Sequence, residues 1–247
     1  MSMYAIDKVP APRARSEIHP AVQKLIAGLG PASGLKALDA PLGPGAMALY
    51  LYQMGYAVSG LDMDLKQSVG LPSTIQRQQG SLIEQFPFPD SHFDLTISLE
   101  GIEHVENHFQ MLRELARVTK PGGRLLISTP SISNLEDRLS YLAKGHFGAF
   151  ISRADVEREG AGFHHINLIS YFELRQVLDL AGFQVERVAR DRVKWAMTIF
   201  LSPLWLLLKV YLMLQPSKRK QKYLLSETGS NDVLLGGSTL IIQARKL

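Results

Sequence analysis

Apolar positions recur in two rhythms along the chain. Short, nearly continuous apolar runs lie at 34–39, 57–61, 92–98 and 124–129, and longer stretches between them repeat at helical spacing. Runs of this length bounded by turn residues read as strands, whereas recurrence at three and four residues reads as a helix face. The spacing predicts helices over 21–29, closed by Gly28, Gly30 and Pro31, and over 46–54. Phe109, Leu112 and Ala116 mark a further helical stripe, with Lys120-Pro121-Gly122-Gly123 as its stop. Another amphipathic helix is predicted over 171–181, ended by Gly182. A third strand is expected near 73–78, and two last strands at 183–188 and 238–244. Strands alternating with helices favour a mostly parallel sheet covered on both faces, and the two late strands suggest a reversed edge pair.

One stretch breaks this rhythm. Residues 190–236 form an insertion of unusual composition between the last two strands, in which residues 195–215 read WAMTIFLSPLWLLLKVYLMLQ with Lys209 as the only charge. About 20 apolar residues suffice to cross a bilayer as a helix, but Pro203 should kink or divide this one. Beyond Pro216 comes the basic run Lys218, Arg219, Lys220 and Lys222, suited to anionic headgroups. Trp195, Trp205 and Tyr211 suit an interface. Three readings follow: peripheral membrane contact through 195–222, burial or a homodimer contact, and a true span. The span fits poorly, since the following strand must return to the same sheet.

Composition narrows the function classes. At 247 residues the chain accommodates one large α/β domain with such an insertion, so 1–247 is expected to be a single domain. There is no cysteine, which excludes disulfides, thiolate metal sites and cysteine nucleophiles. The first twenty residues carry charges and prolines but no apolar core, so no secretory signal is expected and a cytoplasmic location follows, at the inner membrane face if 195–222 docks there. The net charge of +4 is modest and partly gathered in the one basic run, which argues against a nucleic-acid partner.

Candidate chemistry begins at Leu38-Asp-Ala-Pro-Leu-Gly-Pro-Gly45, the turn between the first strand and its helix. Gly43 and Gly45 let backbone approach a ligand closely, and helix-terminal amides then face it. Alone, Gly43-x-Gly45-x-x-Ala48 also fits a dinucleotide fingerprint. Asp62 closes the second strand, where a carboxylate can accept both ribose hydroxyls, with Met63 beside it to cover an adenine face.

From these residues onward the sequence resembles the class I S-adenosylmethionine-dependent methyltransferases, over most of 35–190. Asp39, Gly43 and Gly45 match the family's first motif, with Pro41 in place of its first glycine. Phe86-Pro-Phe-Pro-Asp-x-x-Phe-Asp94, Glu103-His104-Val105 and Lys120-Pro-Gly-Gly-x-Leu125 follow in the family's order. The resemblance implies a Rossmann-like, seven-stranded, mostly parallel sheet with helices on both faces and a reversed last strand, and S-adenosyl-L-methionine as cofactor. It further implies that Asp39, Pro41, Gly43 and Gly45 surround the methionine part and that Asp62 holds the ribose, with Met63 beside it toward adenine. Ser81 and Leu82 would lie near adenine, and Ser98 and Leu99 near the sulfonium.

Glu100-Gly-Ile-Glu103-His104 places two carboxylates and an imidazole at i, i+3 and i+4, one face if helical and within reach of one ion. Such donors suit Mg²⁺, Mn²⁺ or Zn²⁺, although acids also simply favour a helix start. Gly101 leaves open that Glu100 lies on a loop. The motif resembles the metal motif of ubiquinone-biosynthesis O-methyltransferases and of small-RNA terminal 2′-O-methyltransferases, and the latter add a downstream histidine, here His164 or His165. Without a metal, His104 or His165 is the candidate general base. Residues 131–165 are expected to cover the acceptor. Pro130-Ser-Ile-Ser-Asn134, Arg138, Tyr141 and Gly145-His-Phe147 resemble the lid of methyltransferases found near bacterial envelope-polysaccharide genes. The expected activity is O-methylation of a lipid-linked or otherwise hydrophobic acceptor. The alternatives are a soluble small-molecule or RNA methyltransferase with the apolar segment as dimer contact, and a non-catalytic cofactor-binding scaffold, which Pro41 keeps open.

Overall fold

Strands whose side chains are apolar at successive positions need cover on both faces, and two such strands form the centre of the sheet. In the computed structural model, which describes residues 17–147 and 165–247, β4 (Phe93–Leu99) and β5 (Thr119–Pro130) are buried on both sides over most of their length. Around them lie β1 (Lys36–Asp39), β2 (Ala57–Asp62), β3 (Gln76–Gln79), β6 (Phe183–Arg190) and β7 (Thr239–Lys246), in the order β3-β2-β1-β4-β5-β7-β6. Strands β1 to β5 run parallel, and β7 is inserted antiparallel between β5 and β6. The Rossmann-like sheet with its reversed last strand is therefore present.

Alternation along the strands sorts the core into two layers. Ala37, Leu95, Ile97 and Leu126 face α1 (Ile18–Ala27) and α2 (Ala46–Gln53). Leu38, Leu125, Ile127 and Phe183 join the opposite layer, beneath α3 (His108–Val118) and a later helix over Tyr171–Leu180. Between these two comes α4 (Leu135–Lys144), so the later helix is α5. A capping box at Ser170 and Glu173 starts α5, satisfying amides that the first turn leaves open.

Some boundaries differ from the sequence pattern, each for a physical reason. Helix α1 starts three residues early because Ile18 joins the buried stripe of Val22, Leu25 and Ile26. Strand β3 is wholly polar and exposed, so it owes its extended form to pairing with β2 rather than to an apolar rhythm. Helix α3 ends at Val118, where the Thr119 hydroxyl donates to the Leu115 carbonyl at 2.5 Å. Lys120–Gly123 instead loops out within the start of β5, since Phe93 pairs with Thr119 but Leu95 pairs with Arg124.

The chain between β6 and β7 folds as short helices: α6 (Trp195–Phe200), α7 (Ser202–Met213), α8 (Ser217–Lys222), α9 (Leu225–Thr228) and α10 (Asn231–Leu234). Pro203 sits in the first turn of α7 and divides the apolar stretch at Leu201. Among the described residues no helix is long and apolar enough to cross a membrane, which corrects the spanning reading. The expected acceptor cover, 131–165, falls partly on residues 148–164, and these, with His164, lie outside the described residues.

The proline-rich run 86–90 cannot donate at Pro87 or Pro89, and Glu114 and Arg117 of α3 fasten it. Glu114, only 6% exposed, accepts from the Phe86 amide at 2.8 Å and from Arg117 at 2.7 Å. Arg117 also donates to the carbonyls of Phe86 and Phe88 and to Asp90 at 2.6 Å. Burial would raise the Glu114 carboxyl, but the Arg117 guanidinium and the Phe86 amide outweigh it and hold it below the usual carboxylate range. Its stabilising effect is thus complete above the unfolded carboxylate range and fades as pH falls through the lowered folded value. Glu114→Ala, which orphans the Phe86 amide, is expected to cost about 1–3 kcal/mol in urea unfolding at pH 7. The gap between variant and native protein should narrow in acid.

Candidate active site

In an open parallel sheet, a crevice forms at the carboxyl ends of the strands where the connections change direction. Here that point lies between β1 and β4. Residues 40–45 bridge it by bonding alternately to both neighbours of β1. The Ala40 amide donates to Ile97 of β4 at 2.9 Å, and the Leu42 amide to Leu61 of β2 at 2.9 Å. The Gly43 amide then donates to the Asp62 carboxylate at 2.7 Å, and the other Asp62 oxygen accepts from the Asp64 amide at 2.9 Å. Gly43 and Gly45 hold left-handed backbone, with φ of +51° and +85°. The peptide between Ala40 and Pro41 is cis.

The predicted cofactor residues gather at this edge. Asp39 ends β1, Asp62 ends β2 with Met63 exposed beside it, Ser81 and Leu82 follow β3, and Ser98 and Leu99 end β4. Three loops meet at one glycine that the sequence reading treated only as a loop marker. A Cβ on Gly101 would lie 2.5 Å from the Pro41 ring and 3.4 Å from Leu82. Its bare Cα thus lets the turn after β1, the loop after β3 and the end of β4 close on one another. Asp94 and Lys120, which carried part of the family resemblance, lie at the other end of the sheet. There Asp94 accepts from Lys120 at 2.7 Å and from the Lys36 amide at 2.9 Å, joining strand starts.

Two carboxyls near the crevice are pushed well above their ordinary range. For Asp39 the cause is burial, reinforced by the nearby Asp62 charge and opposed by the Ala48 amide. For Glu103 it is burial and then the Glu100 charge. Glu103 is fully buried, and neither of its carboxylate oxygens has a hydrogen-bond partner among the described residues. The Thr129 hydroxyl stands close enough to favour the charged form slightly, but without the geometry of a full hydrogen bond. Ser98 likewise buries an unpartnered hydroxyl.

The single helical face expected for Glu100, Glu103 and His104 does not form. Glu100 has left-handed backbone, φ +49°, ahead of a one-turn 3₁₀ helix over Ile102–His104. That conformation turns it to Ser128, whose hydroxyl donates to the Glu100 carboxylate at 3.2 Å. Glu103 and His104 do converge with His165, one ligand atom of each lying within 4.8 Å of the others. The link to His165 is made by backbone: the Glu103 carbonyl accepts from the Ile166 and Asn167 amides at 2.9 and 3.1 Å. The Asn167 side chain bonds His108 at 2.6 Å, and the His104 and His165 rings meet edge to face at 5.2 Å. Ser128, Thr129 and Asn167 were missed by sequence reasoning. The Ser-Thr-Pro end of β5 was the local signal for the first two, and Asn167 had none.

The two turn glycines separate conformational from steric need. An alanine at Gly43 would meet open space and pay only for its left-handed backbone, roughly 1–2 kcal/mol. At Gly45 the added carbon would lie 2.3 Å from the buried Leu71 side chain. Gly45→Ala is therefore expected to cost about 1–3 kcal/mol beyond Gly43→Ala in parallel urea titrations.

Comparisons with known proteins agree with this geometry. The methyltransferase domain family matches residues 38–127. The malonyl-[acyl-carrier protein] O-methyltransferase of Erwinia billingiae is 37% identical over 107 residues, 42% of either chain. The ubiquinone biosynthesis O-methyltransferase of Rickettsia felis is 33% identical over 115 residues, 44% of this chain and 46% of that one. The chain spans about half or less of the length of the curated relatives it matches. Among solved structures, an S-adenosylmethionine-dependent methyltransferase from Mesorhizobium loti superposes with a TM-score of 0.57 at 18% identity, over 90% of this chain and 96% of that one. One from Aquifex aeolicus gives 0.56 at 17% identity, over 98% and 97%. The matched motifs, the sheet order and the crevice at the end of β1 together make this chain similar to the class I S-adenosylmethionine-dependent methyltransferases, in sequence over residues 38–127 and in fold over nearly its whole length.

Proposed function

We propose that the chain O-methylates a lipid-linked or otherwise hydrophobic acceptor, using S-adenosylmethionine, at the cytoplasmic face of a membrane. The observation that carries the methyl-transfer reading is the Asp62 carboxylate bonded to the Gly43 amide at the sheet's switch point. A carboxylate has about four lone-pair sites. The Gly43 and Asp64 amides take one on each oxygen, which leaves one on each for a ribose hydroxyl. The buried, unpartnered Ser98 hydroxyl is a second fit to a polar ligand. S-adenosylmethionine would supply, when bound, a sulfonium methyl carbon to which an acceptor oxygen bonds as the carbon–sulfur bond breaks, its electron pair staying on the departing sulfide. The turn at Asp39, Pro41, Gly43 and Gly45 would hold its methionine part, Ser81 and Leu82 with Met63 its adenine side, and Leu99 with Ser98 the sulfonium side. His104 and His165 stand beyond the end of β4, where either imidazole can take the acceptor hydroxyl's proton. Alignment of oxygen, methyl carbon and sulfur supplies most of the acceleration such a step needs.

The hydrophobic acceptor is supported by the curated relatives named for O-methylation in ubiquinone and tocopherol chemistry and by the apolar helices near the cover. Asp62→Ala is expected to weaken S-adenosylmethionine binding at least about tenfold in calorimetry, the scale of a lost hydrogen bond to a charged group. Unaltered binding would remove the ribose assignment. Labelled methyl groups should then appear in the lipid fraction of an extract. Label in RNA or small metabolites would favour the soluble alternative, and binding without turnover the scaffold.

A second reading rests on the orphaned Glu103 carboxylate facing two imidazoles. One carboxylate and two imidazoles suit Zn²⁺ or Mn²⁺, and also Mg²⁺ if water completes the shell. Glu103, His104 and His165 would hold such an ion, which would orient an acceptor hydroxyl and lower its pKa. Glu100, turned to Ser128, would act from the next layer. Purified protein should carry a divalent ion by mass spectrometry, lost in Glu103→Gln, and chelation should depress turnover until Mg²⁺, Mn²⁺ or Zn²⁺ is restored. Metal-free protein with undiminished activity overturns this reading.

A further inference from the structure

Helix α7 is apolar on its outer face as well as its inner one. Its one charge, Lys209, points inward and donates to the Gly229 carbonyl at 2.7 Å, and the Trp205 indole donates inward to Asn231 at 3.2 Å. Outward, at successive turns, stand Leu206, Leu207, Val210 and Leu214, with Leu207 68% and Leu214 72% exposed. Helix α6 continues the outer face with Ile199 and Phe200, 70% and 78% exposed. A helix bordering water normally shows the opposite arrangement, because apolar surface is driven out of water. Contiguous apolar surface of this kind marks an interaction site.

Charge identifies the partner. Residues 195–222 contain no Asp or Glu, and the basic residues of α8 follow directly. Lys220 donates to the Met213 carbonyl at 2.9 Å and so fastens α8 to the end of the apolar helix. Lys218, Arg219 and Lys222 are exposed, and no acidic side chain among the described residues pairs with them. The nearby acids are engaged elsewhere: Glu227 accepts from Tyr171 at 2.5 Å and from Arg175 at 3.2 Å, and Asp232 lies 3.7 Å from Arg190. Two copies packed through this face would bring their uncompensated basic helices near one another, whereas an anionic bilayer offers an apolar interior beneath a negative surface. The twelve residues of α7 extend about 18 Å at the helical rise, short of the roughly 30 Å hydrocarbon core, so the unit lies in the interface plane.

We infer that α6, α7 and α8 form a rigid platform that docks on anionic membranes, α6 and α7 entering the acyl boundary and α8 meeting the headgroups. The platform is tied to the fold through Lys194–Glu136 at 2.6 Å just before α6, and through Lys209 to Gly229, next to Thr228 of α9, whose carbonyl accepts from Arg138 at 3.0 Å. Both links reach the start of the expected acceptor cover. The platform adds to the methyl-transfer reading, and a test that reads lipid binding alone lets either fail without the other.

The full chain should float with phosphatidylcholine vesicles containing phosphatidylglycerol and not with phosphatidylcholine alone, and high salt should release it. The only tryptophans are Trp195, 70% exposed, and Trp205, so emission should shift to the blue on binding. Lys218→Glu with Arg219→Glu, and separately Leu207→Ser with Leu214→Ser, should each lower vesicle partitioning at least about tenfold, since every basic residue near the surface contributes about a factor of five. Their far-UV circular dichroism and calorimetric S-adenosylmethionine binding should stay unchanged. No flotation on anionic vesicles, or flotation unaffected by both pairs of substitutions, overturns the inference. So does a stable dimer in light scattering that Leu207→Ser with Leu214→Ser dissolves.

Discussion

The backbone of residues 40–43 is the constraint on which the crevice depends. The strand ahead of it has a neighbour on each side, and the turn bonds to both before entering α2: to Ile97 on one side, then to Leu61 and Asp62 on the other. Those bonds fix the turn where the connections of β1 and β4 diverge and set the Asp62 carboxylate beside it. Gly101 completes the arrangement, because any side chain there would overlap the Pro41 ring. A proline in the place of the family's usual glycine is thus accommodated by a glycine sixty residues later.

Beyond the end of β4 the chain places charge where the fold gives it little help. Glu103 is buried with no partner among the described residues, while Glu100 beside it is turned away on left-handed backbone. Burying a carboxyl without hydrogen bonds is costly, and such sites persist where a ligand or a reaction uses them. The imidazoles of His104 and His165 each bring a ring nitrogen within 4.8 Å of the Glu103 carboxylate, and the amides that follow His165 hold that stretch of chain in place. Left-handed backbone and a buried acid therefore coincide just beyond one strand end, on either side of Gly101.

The insertion follows a different pattern. Within the sheet and its covering helices, apolar side chains face inward and the two cores are closed. In α7 both faces are apolar: Leu208 and Leu212 pack toward the body beside Lys209 and the Trp205 indole, while Leu206 and Leu207 stand outward. The same rule, apolar surface away from water, explains both if the outer face of α7 meets lipid. Its attachment through Glu136 and Arg138 joins this face to the chain that leads into the acceptor side.

Much of the architecture was written in local pattern. The apolar runs of β1, β2, β4 and β5, the glycine turn, the order of acidic strand ends and the apolar insertion divided at Pro203 are all properties of neighbouring residues, and the sheet follows from them. Strand β3 was displaced because its four polar residues are extended only through their bonds to β2. The looped Lys120–Gly123 segment was misread as a helix stop because a register jump exists only between two strands. The three-residue convergence of Glu103, His104 and His165, the diversion of Glu100 to Ser128 and the closure of three loops on Gly101 are equally non-local. They join positions up to about sixty residues apart, and spacing along one segment carries no information about what a distant segment brings to it. The sequence by itself determined the strand and helix pattern of the sheet and the glycine turn between β1 and α2. Tertiary structure alone decided which acids meet histidines and which face of the insertion points outward, because both depend on packing between segments that have no fixed relation until the sheet has formed.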